Sequence, residues 1–231
     1  MSQENILDKV KKLRELTGVG FKDCKIAIDE NKGNIEKSID FLRKKGIAKA
    51  SKKMERIAAD GLVSISEREN EFSIIEVNSE TDFVAKNAEF IKFVEELSDL
   101  ALINSGNIEK MLTSKMKNKK NVNDNLITLI SKIGEKITLR RANFIQSKNT
   151  VNFSYTHSEI KKNIGKIGVI LSLETGKQKQ ELLEFGKQLA MHVAATSPLA
   201  IDKEGLDKDI LKKEKEIITE ELKNSGKDQN I

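Results

Sequence analysis

The chain has 231 residues, 38% of them hydrophobic and 33% charged, which suits domain-sized cores beneath a solvated helical surface. Only 4% are aromatic, none is tryptophan, and 41 basic residues are interspersed with 36 acidic ones to give a net charge of +5. This composition argues against base-stacking platforms and leaves nucleic-acid binding a minority interpretation. One cysteine, Cys24, cannot form an intrachain disulfide, and with only two histidines, His157 and His192, the chain lacks the Cys and His ligands of a zinc cluster, so we predict no cofactor.

The sequence shows no targeting or membrane-spanning segment. No stretch approaches the ~20 apolar residues of a membrane span. Residues 1–16 form a charged amphipathic pattern without the apolar centre of a signal peptide. A single cysteine is compatible with a reducing compartment. We therefore expect a cytoplasmic protein that makes no membrane contact.

Residues 1–46 predict a small bundle of three short helices. The first helix carries an apolar stripe, which consists of Ile6, Val10, Leu13 and Leu16. The second covers about residues 21–30, and the third begins after Asn34, a good N-cap, and ends at Gly46 behind a basic last turn. Cys24 is expected to be packed inside this bundle. A basic linker, partly helical, is predicted to follow.

The apolar residues change from helical spacing to strand-like runs at Asp60, where a core region begins. Two strand-like runs, 62–65 and 72–77, are separated by a turn at residues 69–70. A long helix is then predicted from Thr81 to about Leu102. Its inward stripe is expected to contain Phe90, Val94, Leu97 and Ala101.

The rest of this half is predicted from its turn signals. The polar, lysine-rich stretch 104–125 is interpreted as a mobile excursion with one short helix. A helix over 126–133 is expected to end at Gly134, and strand-like runs follow at 137–144 and 151–155.

Phe83 is the least ordinary residue of the predicted long helix. Thr81 and Asp82 before it are common helix-start residues. A large aromatic side chain in the first turn is poorly covered by its own helix. Phe83 is therefore either a core residue beneath the strands or a plug offered to another molecule, and the sequence leaves both readings open.

A faint internal repeat bears on that choice. Residues 74–81 resemble 169–175, and residues 89–92 resemble 184–187, so each half has a strand, a polar turn and a long helix. The second copy has no counterpart of residues 82–84, which favours the plug interpretation of Phe83. The helix of the second copy is expected to end before Pro198, the only proline.

A last amphipathic helix is predicted over 207–223, with a narrow apolar stripe and highly charged other faces. It fits a projecting helical hairpin or partner-binding coil, and it equally fits one more helix packed on the core. A homodimer formed through this segment is one reading of the stripe.

Four blocks of the sequence resemble bacterial elongation factor Ts, in the order of that family. They are LRELTGVGFKDCK at 13–25, EVNSETDFVAKN at 76–87, KIGEKI at 132–137 and AMHVAA at 190–195. The resemblance implies an α+β fold with a UBA-like three-helix bundle and a core of two related antiparallel-sheet-plus-helix subdomains with a projecting helical hairpin. The implied parts are bundle 1–46, basic linker 47–59, core subdomains 60–145 and 146–200, the second incomplete, and a truncated hairpin segment 201–231.

The resemblance also implies a function, that of a guanine-nucleotide exchange factor for elongation factor Tu, without bond chemistry of its own. In the family, the pair matching Asp82 and Phe83 enters the G domain of the partner and disturbs its Mg²⁺ site. The implied partner-binding residues are Thr81, Asp82, Phe83 and Val84, with further contacts at Val19, Gly20, Phe21, Ile133, Gly134 and His157. His192 lies in an apolar run and is expected to be a core histidine.

The chain departs from the family in two places. Residues 21 and 22 are often paired methionines in relatives, and the family's C-terminal part is expected to be absent after Ile231. Two other classes stay open: a nucleic-acid or ribosome-binding module using the basic linker and 115–120, and an adaptor that binds only through residues 1–46.

Overall fold

The computed structural model describes residues 5–17, 19–146 and 149–224. The chain divides into two compact units, residues 1–194 and residues 195–231. In chain order the described helices are α1 (Ile6–Thr17), α2 (Phe21–Glu30), α3 (Ile35–Lys53), α4 (Asp82–Ala85), α5 (Ala88–Ile103), α6 (Ile108–Thr113), α7 (Val122–Ile133), α8 (Leu183–Thr196) and α9 (Lys208–Asn224). The described strands are β1 (Asp60–Arg68), β2 (Glu71–Ser79), β3 (Ile137–Gln146), β4 (Thr150–His157), β5 (Ile164–Gly165) and β6 (Ile167–Glu174). The α+β class is confirmed.

The first three helices form the predicted bundle. Its core consists of Val10, Leu13, Cys24, Ala27, Ile28 and Leu42. Asn34 caps α3 as expected, since its side-chain oxygen accepts a hydrogen bond from the N–H of Lys37 at 2.9 Å. Burial raises the pKa of the Cys24 thiol, in keeping with a packed cysteine. Of the four residues in the predicted apolar stripe of α1, Val10 and Leu13 are buried, but Ile6 and Leu16 are exposed.

The predicted end of the third helix at Gly46 is wrong, because α3 continues to Lys53. Gly46 instead lies where α3 crosses α7. A Cβ atom at this position would be 2.9 Å from Oγ of Ser131, so a glycine allows the two helices to approach closely. Beside this crossing, Arg43 Nη2 donates to Asp124 Oδ1 at 2.7 Å. The first part of the predicted linker is therefore helical.

The main sheet has four antiparallel strands in the order β3–β2–β1–β5. β1 and β2 form the predicted hairpin, in which Arg68 pairs with Glu71 across a turn at residues 69–70. The short strand β5 was not predicted. One face of the sheet is covered by α5, and all four residues of its predicted stripe are fully buried, namely Phe90, Val94, Leu97 and Ala101.

The long helix predicted from Thr81 to Leu102 is wrong in one respect, because it is broken. The single turn α4 ends before Lys86, and Asn87 then begins α5 as a new N-cap. The Asn87 side-chain oxygen accepts hydrogen bonds from the N–H groups of Glu89 at 2.9 Å and Phe90 at 3.3 Å. A side chain that competes for backbone N–H groups in this way favours a helix start over a helix interior.

The stretch 104–125 contains the predicted short helix, α6, but it packs against the core and is not the predicted excursion. Met111 on α6 is fully buried and Met116 is 8% exposed. The basic residues 115–120 lie in a short loop whose ends are joined by a bridge between Lys115 and Asn121. Asn121 then caps α7, since its side-chain oxygen accepts from the N–H of Asp124 at 2.7 Å.

The second sheet consists of β4 and β6 and packs against the first. Gly168 on β6 allows this approach, because a Cβ atom there would be 2.9 Å from Ile74 and 3.1 Å from Val63. At the hairpin end of the first sheet, Asn152 is fully buried and its side chain donates to the carbonyl oxygen of Asn70 at 2.6 Å. These contacts hold β4 and β6 against the first sheet.

The two strand–turn–helix segments share an order of elements but differ in their packing. β2 leads through α4 to α5, and β6 leads through a 3₁₀ turn at Lys179–Leu182 to α8. Phe90 and Phe185, which match in the faint repeat, are 0% and 55% exposed. α8 instead approaches the sheet through Gly186, where a Cβ atom would lie 2.4 Å from the ring of Phe153.

The second unit contains a 3₁₀ turn at Lys203–Gly205 and the helix α9, close to the predicted bounds. The apolar residues of α9 are partly exposed, and those above two-fifths exposure are Ile210, Ile217, Ile218 and Leu222. Residues 225–231 of the predicted hairpin lie outside the described residues. Among the helices that the structure describes, none is both long enough and apolar enough to cross a membrane.

Candidate functional site around Phe83

Phe83 is not a core residue. Its side chain is 78% exposed, although the next two residues of α4, Val84 and Ala85, are 4% and 1% exposed and pack in the main core. The short helix is therefore anchored by its second half and presents a phenyl ring to the solvent from its first. Val84, a predicted partner contact, has its side chain turned inward and serves to anchor α4.

Asp82 begins α4, as the sequence predicted. Its carboxylate accepts a hydrogen bond from Lys86 Nζ at 2.8 Å. This hydrogen bond and the positive charge of Lys86 lower the pKa of Asp82, and the same bond and the negative charge of Asp82 raise the pKa of Lys86. The charges of Asp60, at the start of β1, and Lys166, between β5 and β6, form an ion pair that also acts on Asp82. The carboxylate that precedes Phe83 in the chain is thus paired with an ammonium group and interacts with a second ion pair.

Thr81 occupies the predicted N-cap position, but its side chain is directed to Glu135. The Thr81 hydroxyl donates to Glu135 Oε1 at 2.7 Å, and the Thr81 N–H donates to Glu135 Oε2 at 3.0 Å. In the opposite direction, the N–H of Lys136 donates to Glu80 Oε1 at 2.6 Å. We call these three hydrogen bonds between residues 80–81 and 135–136 the clasp.

The clasp is extended toward the segment that joins α3 to β1. Lys136 Nζ donates to the carbonyl oxygens of Met54 at 2.7 Å and Arg56 at 2.8 Å. Arg56 Nη1 lies 3.3 Å from Glu80 Oε1. The N–H of Lys136 and the charge of Arg56 hold the pKa of Glu80 below its usual value of 4.5. The end of β2 is therefore tied to two other parts of the fold immediately before Phe83.

Two predicted contacts, Ile133 and Gly134, lie directly beside the clasp. Gly134 ends α7 as predicted, in a left-handed conformation with φ of +89° that favours glycine. Its N–H donates to the carbonyl oxygen of Ile130 at 2.9 Å. Ile133 packs on the main core and is half-buried. Because Glu135 comes next in the chain, the fold brings this segment next to the segment that carries Phe83.

The predicted contacts at Val19, Gly20 and Phe21 lie on the bundle. Phe21 is the first residue of α2 and is 43% exposed, and Gly20 before it is exposed. Val19 packs on the bundle core, and its carbonyl oxygen accepts from the Cys24 thiol at 3.3 Å. Among the hydrogen bonds of the described residues, none joins this loop to residues 80–83. The bundle meets the core through α3 and α7.

The predicted contact His157 is exposed at the end of β4. Its Nδ1 atom lies 3.0 Å from the Tyr155 hydroxyl, and its carbonyl oxygen accepts from the N–H of Lys166 at 3.0 Å. Lys166 pairs with Asp60, and both charges act on Asp82. His157 and Asp82 therefore border one charged neighbourhood.

Comparisons with known proteins show similarity to one family. The family model for elongation factor Ts matches residues 80–231. The elongation factor Ts of Parvibaculum lavamentivorans is 43% identical over 96% of this chain and 72% of its own length. Those of Azorhizobium caulinodans and Bartonella quintana are 45% and 42% identical over 96% of this chain, which covers 72% and 73% of their lengths.

The chain belongs to the elongation factor Ts family. It is accordingly a translation elongation factor, with a role in protein biosynthesis. The resemblance of the four sequence blocks is confirmed by identity over nearly the whole chain. The roles of individual residues on the Phe83 surface stay predictions.

One residue expected in the core of this elongation factor is not there. His192 on α8 is exposed, so its assignment as a core histidine is wrong. The apolar residues around it in the sequence suggested burial. α8 instead buries only the small residues Gly186 and Ala190, which lie on the face toward β4. A helix that contacts a sheet through small residues leaves its longer side chains outside.

Sequence reasoning missed the residues of the clasp. Glu80, Glu135 and Lys136 lie inside the family blocks at 76–87 and 132–137, but nothing in the sequence links them across 54 residues. Their position beside Thr81 and Gly134 is the only signal that could have singled them out.

The clasp predicts a pH dependence of stability. Because the folded pKa of Glu80 lies below its unfolded value near 4.5, ionised Glu80 contributes stability above about pH 4.5. That contribution is lost as pH falls through the lowered folded pKa. We therefore expect Glu80→Gln to lower the free energy of unfolding most near neutral pH, and the deficit to shrink as pH falls toward about 3.

Urea denaturation of the two proteins across this pH range measures the difference. Glu109→Gln, an exposed carboxylate in the first turn of α6, is the matched control. A deficit that stays constant with pH would show that Glu80 stabilises the fold by packing and not by its charge.

Proposed function

We propose that this elongation factor acts as a guanine-nucleotide exchange factor that binds elongation factor Tu and promotes the release of GDP. The observation that carries the proposal is Phe83, a phenyl ring 78% exposed on a helix that its neighbours hold in place. Exposed large aromatics with firm support are typical of residues that dominate protein–protein binding. The family name supports a role in elongation, and the resemblance of residues 76–87 supports this partner.

The proposed mechanism needs no bond chemistry. A factor that binds the nucleotide-free partner more tightly than the GDP-bound form makes the two ligands negatively coupled, and that coupling is reciprocal. Phe83 supplies the difference by entering a packed switch region of the G domain and disturbing the Mg²⁺ site. Each ~1.4 kcal/mol of destabilisation of bound GDP speeds its release tenfold. The protein is therefore not an enzyme in the usual sense.

The other predicted contacts extend the same interface. Asp82 sets the start of α4 and the docking angle of Phe83. Ile133 and Gly134 lie on the turn that the clasp joins to Thr81, and His157 borders the charged group at Asp60 and Lys166. Val19, Gly20 and Phe21 add a contact from the bundle. A cytoplasmic location and self-association through α9 stay predictions.

The direct test is the release of a fluorescent GDP analogue from elongation factor Tu, with and without this chain. We expect release to be accelerated at least about 30-fold at saturating factor, the equivalent of ~2 kcal/mol. If the factor acts by disturbing the Mg²⁺ site, prior removal of Mg²⁺ by a chelator should reduce the acceleration. The chelator and the factor would then remove the same stabilisation of bound GDP by Mg²⁺.

Two results would contradict the proposal. Stable binding to elongation factor Tu without faster release would indicate an adaptor. Binding that appears only at low salt and falls steeply with added salt would indicate a nonspecific electrostatic contact, as for a nucleic-acid-binding module.

A further inference from the structure

The helix that carries Phe83 is too short to hold its own shape. α4 has four residues, a single turn, and isolated helices of that length are not stable in water. The Thr81 hydroxyl at its N-cap position is used for another contact, with Glu135. Phe83 itself is mostly solvated. The orientation of the phenyl ring must therefore be determined by neighbouring parts of the fold.

The C-terminal half of α4 is held by hydrophobic packing. Val84 and Ala85 are both buried in the main core beneath β1 and β2. Packing of two small side chains fixes the depth of the helix, but contacts at one end leave the other end free to pivot. Phe83 lies between these anchors and the N-terminal end.

The N-terminal end is held by Glu135. Both oxygens of its carboxylate accept a hydrogen bond from Thr81, one from the hydroxyl at 2.7 Å and one from the N–H at 3.0 Å. A carboxylate bound by two donors in this way fixes an orientation as well as a distance. Thr81 is two residues from Phe83, so the grip acts close to the ring.

Glu135 is in turn held in place. It follows Gly134, whose left-handed conformation turns the chain at the end of α7. The N–H of the next residue, Lys136, is bound to Glu80 at 2.6 Å, and the side chain of Lys136 bonds to two carbonyl oxygens before β1. The carboxylate therefore projects from a turn that is fixed on both sides.

We infer that Glu135 is a positioning residue for Phe83, which acts through Thr81 to hold α4 in the orientation that nucleotide release requires. The inference rests on the proposed exchange function. A side chain that must separate packed groups in a partner works only if its orientation is fixed. An orientation that is fixed before binding also lowers the entropy that is lost on binding. Glu135 lies beside the predicted contact at Ile133 and Gly134, but its carboxylate is occupied within the protein.

The test compares Glu135→Ala and Glu135→Gln with the unaltered chain in the GDP-release assay. Since misplacement of a working group by about 1 Å can cost on the order of 100-fold, we expect Glu135→Ala to lower the maximal release rate by about tenfold. The factor concentration for half-maximal effect should change less than the rate. Glu135→Gln keeps one oxygen as an acceptor and should fall between the two. Glu109→Gln on α6 is the control and should release GDP at the unaltered rate.

A double variant separates positioning from a direct contact or a general loss of stability. If Glu135 acts through Phe83, the variant Phe83→Ala/Glu135→Ala should release GDP at the same rate as Phe83→Ala alone. If the fold-losses of the two single variants multiply in the double variant, the inference is overturned. An unaltered release rate in Glu135→Ala would overturn it as well. Thermal unfolding identifies a variant that has lost its fold. If Glu135→Ala has lost its fold, Thr81→Val replaces it in the same double-variant comparison, because it removes only the hydroxyl that donates to Glu135. The same two results would then overturn the inference.

Failure of the inference is distinct from failure of the proposed function. If the unaltered chain does not accelerate release, the exchange function itself is wrong. If it does, and Glu135→Ala accelerates release equally, only the role of Glu135 is wrong.

Discussion

Replacement of Phe83 by alanine is expected to lower the rate of GDP release from elongation factor Tu at least about 30-fold, the equivalent of ~2 kcal/mol, the level that marks a dominant interface residue. The reason is the exposure of the ring. At 78% exposed, Phe83 contributes little to the stability of its own fold. We therefore expect its truncation to act on the proposed contact with the partner. The measurement is the maximal release rate at saturating factor.

The matched control is Phe185→Ala. Phe185 is also an exposed phenylalanine, at 55%, but it lies on α8 outside the predicted contacts. We expect the control to keep the unaltered release rate. The free energy of unfolding of Phe83→Ala should stay within about 0.5 kcal/mol of the unaltered chain, as for surface substitutions in general. Equal loss of activity in both variants, or no loss in Phe83→Ala, would contradict the proposal that Phe83 enters the G domain of the partner.

The largest loss of stability is expected for Phe90→Ala. Phe90 is fully buried in the main core at the start of α5, beneath the first sheet. Truncation of a buried phenylalanine removes its hydrophobic transfer energy and leaves a cavity, which together cost about 3–5 kcal/mol. Urea denaturation monitored by circular dichroism measures this loss. Phe185→Ala, at the matching position of the faint repeat, should cost less than about 1 kcal/mol.

This pair also tests the packing difference between the two strand–turn–helix segments. A comparable loss for both variants would mean that Phe185 is covered in solution, contrary to its exposure in the structure. Phe83, Phe90 and Phe185 together separate function from stability. Phe83→Ala is expected to affect GDP release, Phe90→Ala to affect stability, and Phe185→Ala to affect neither strongly.

The elements that sequence reasoning predicted correctly depend on local signals. Asn34 begins α3, Gly134 ends α7 and a two-residue turn joins β1 to β2, each by a preference of the residue or turn itself. The fully buried stripe of α5 follows from helical spacing. Such features need only a few neighbouring residues, so they can be read from one sequence.

The errors share a cause, which is the effect of distant parts of the chain. α3 passes Gly46 because α7 packs closely against it there. Residues 104–125 look like a polar excursion, but Met111 and Met116 reach the core. His192 lies in an apolar run but is exposed, because α8 meets the sheet through small residues. In each case tertiary packing outweighs the local pattern.

By itself the sequence determined the family, the α+β class and the order and approximate places of most elements, because these follow from short blocks and their order. It left open whether Phe83 is buried or exposed. Only the tertiary structure decided that question, and only it paired Thr81 with Glu135 across 54 residues. The physical reason is the same for both: exposure and hydrogen bonding depend on which groups the fold brings into contact, and those groups lie far away in the chain.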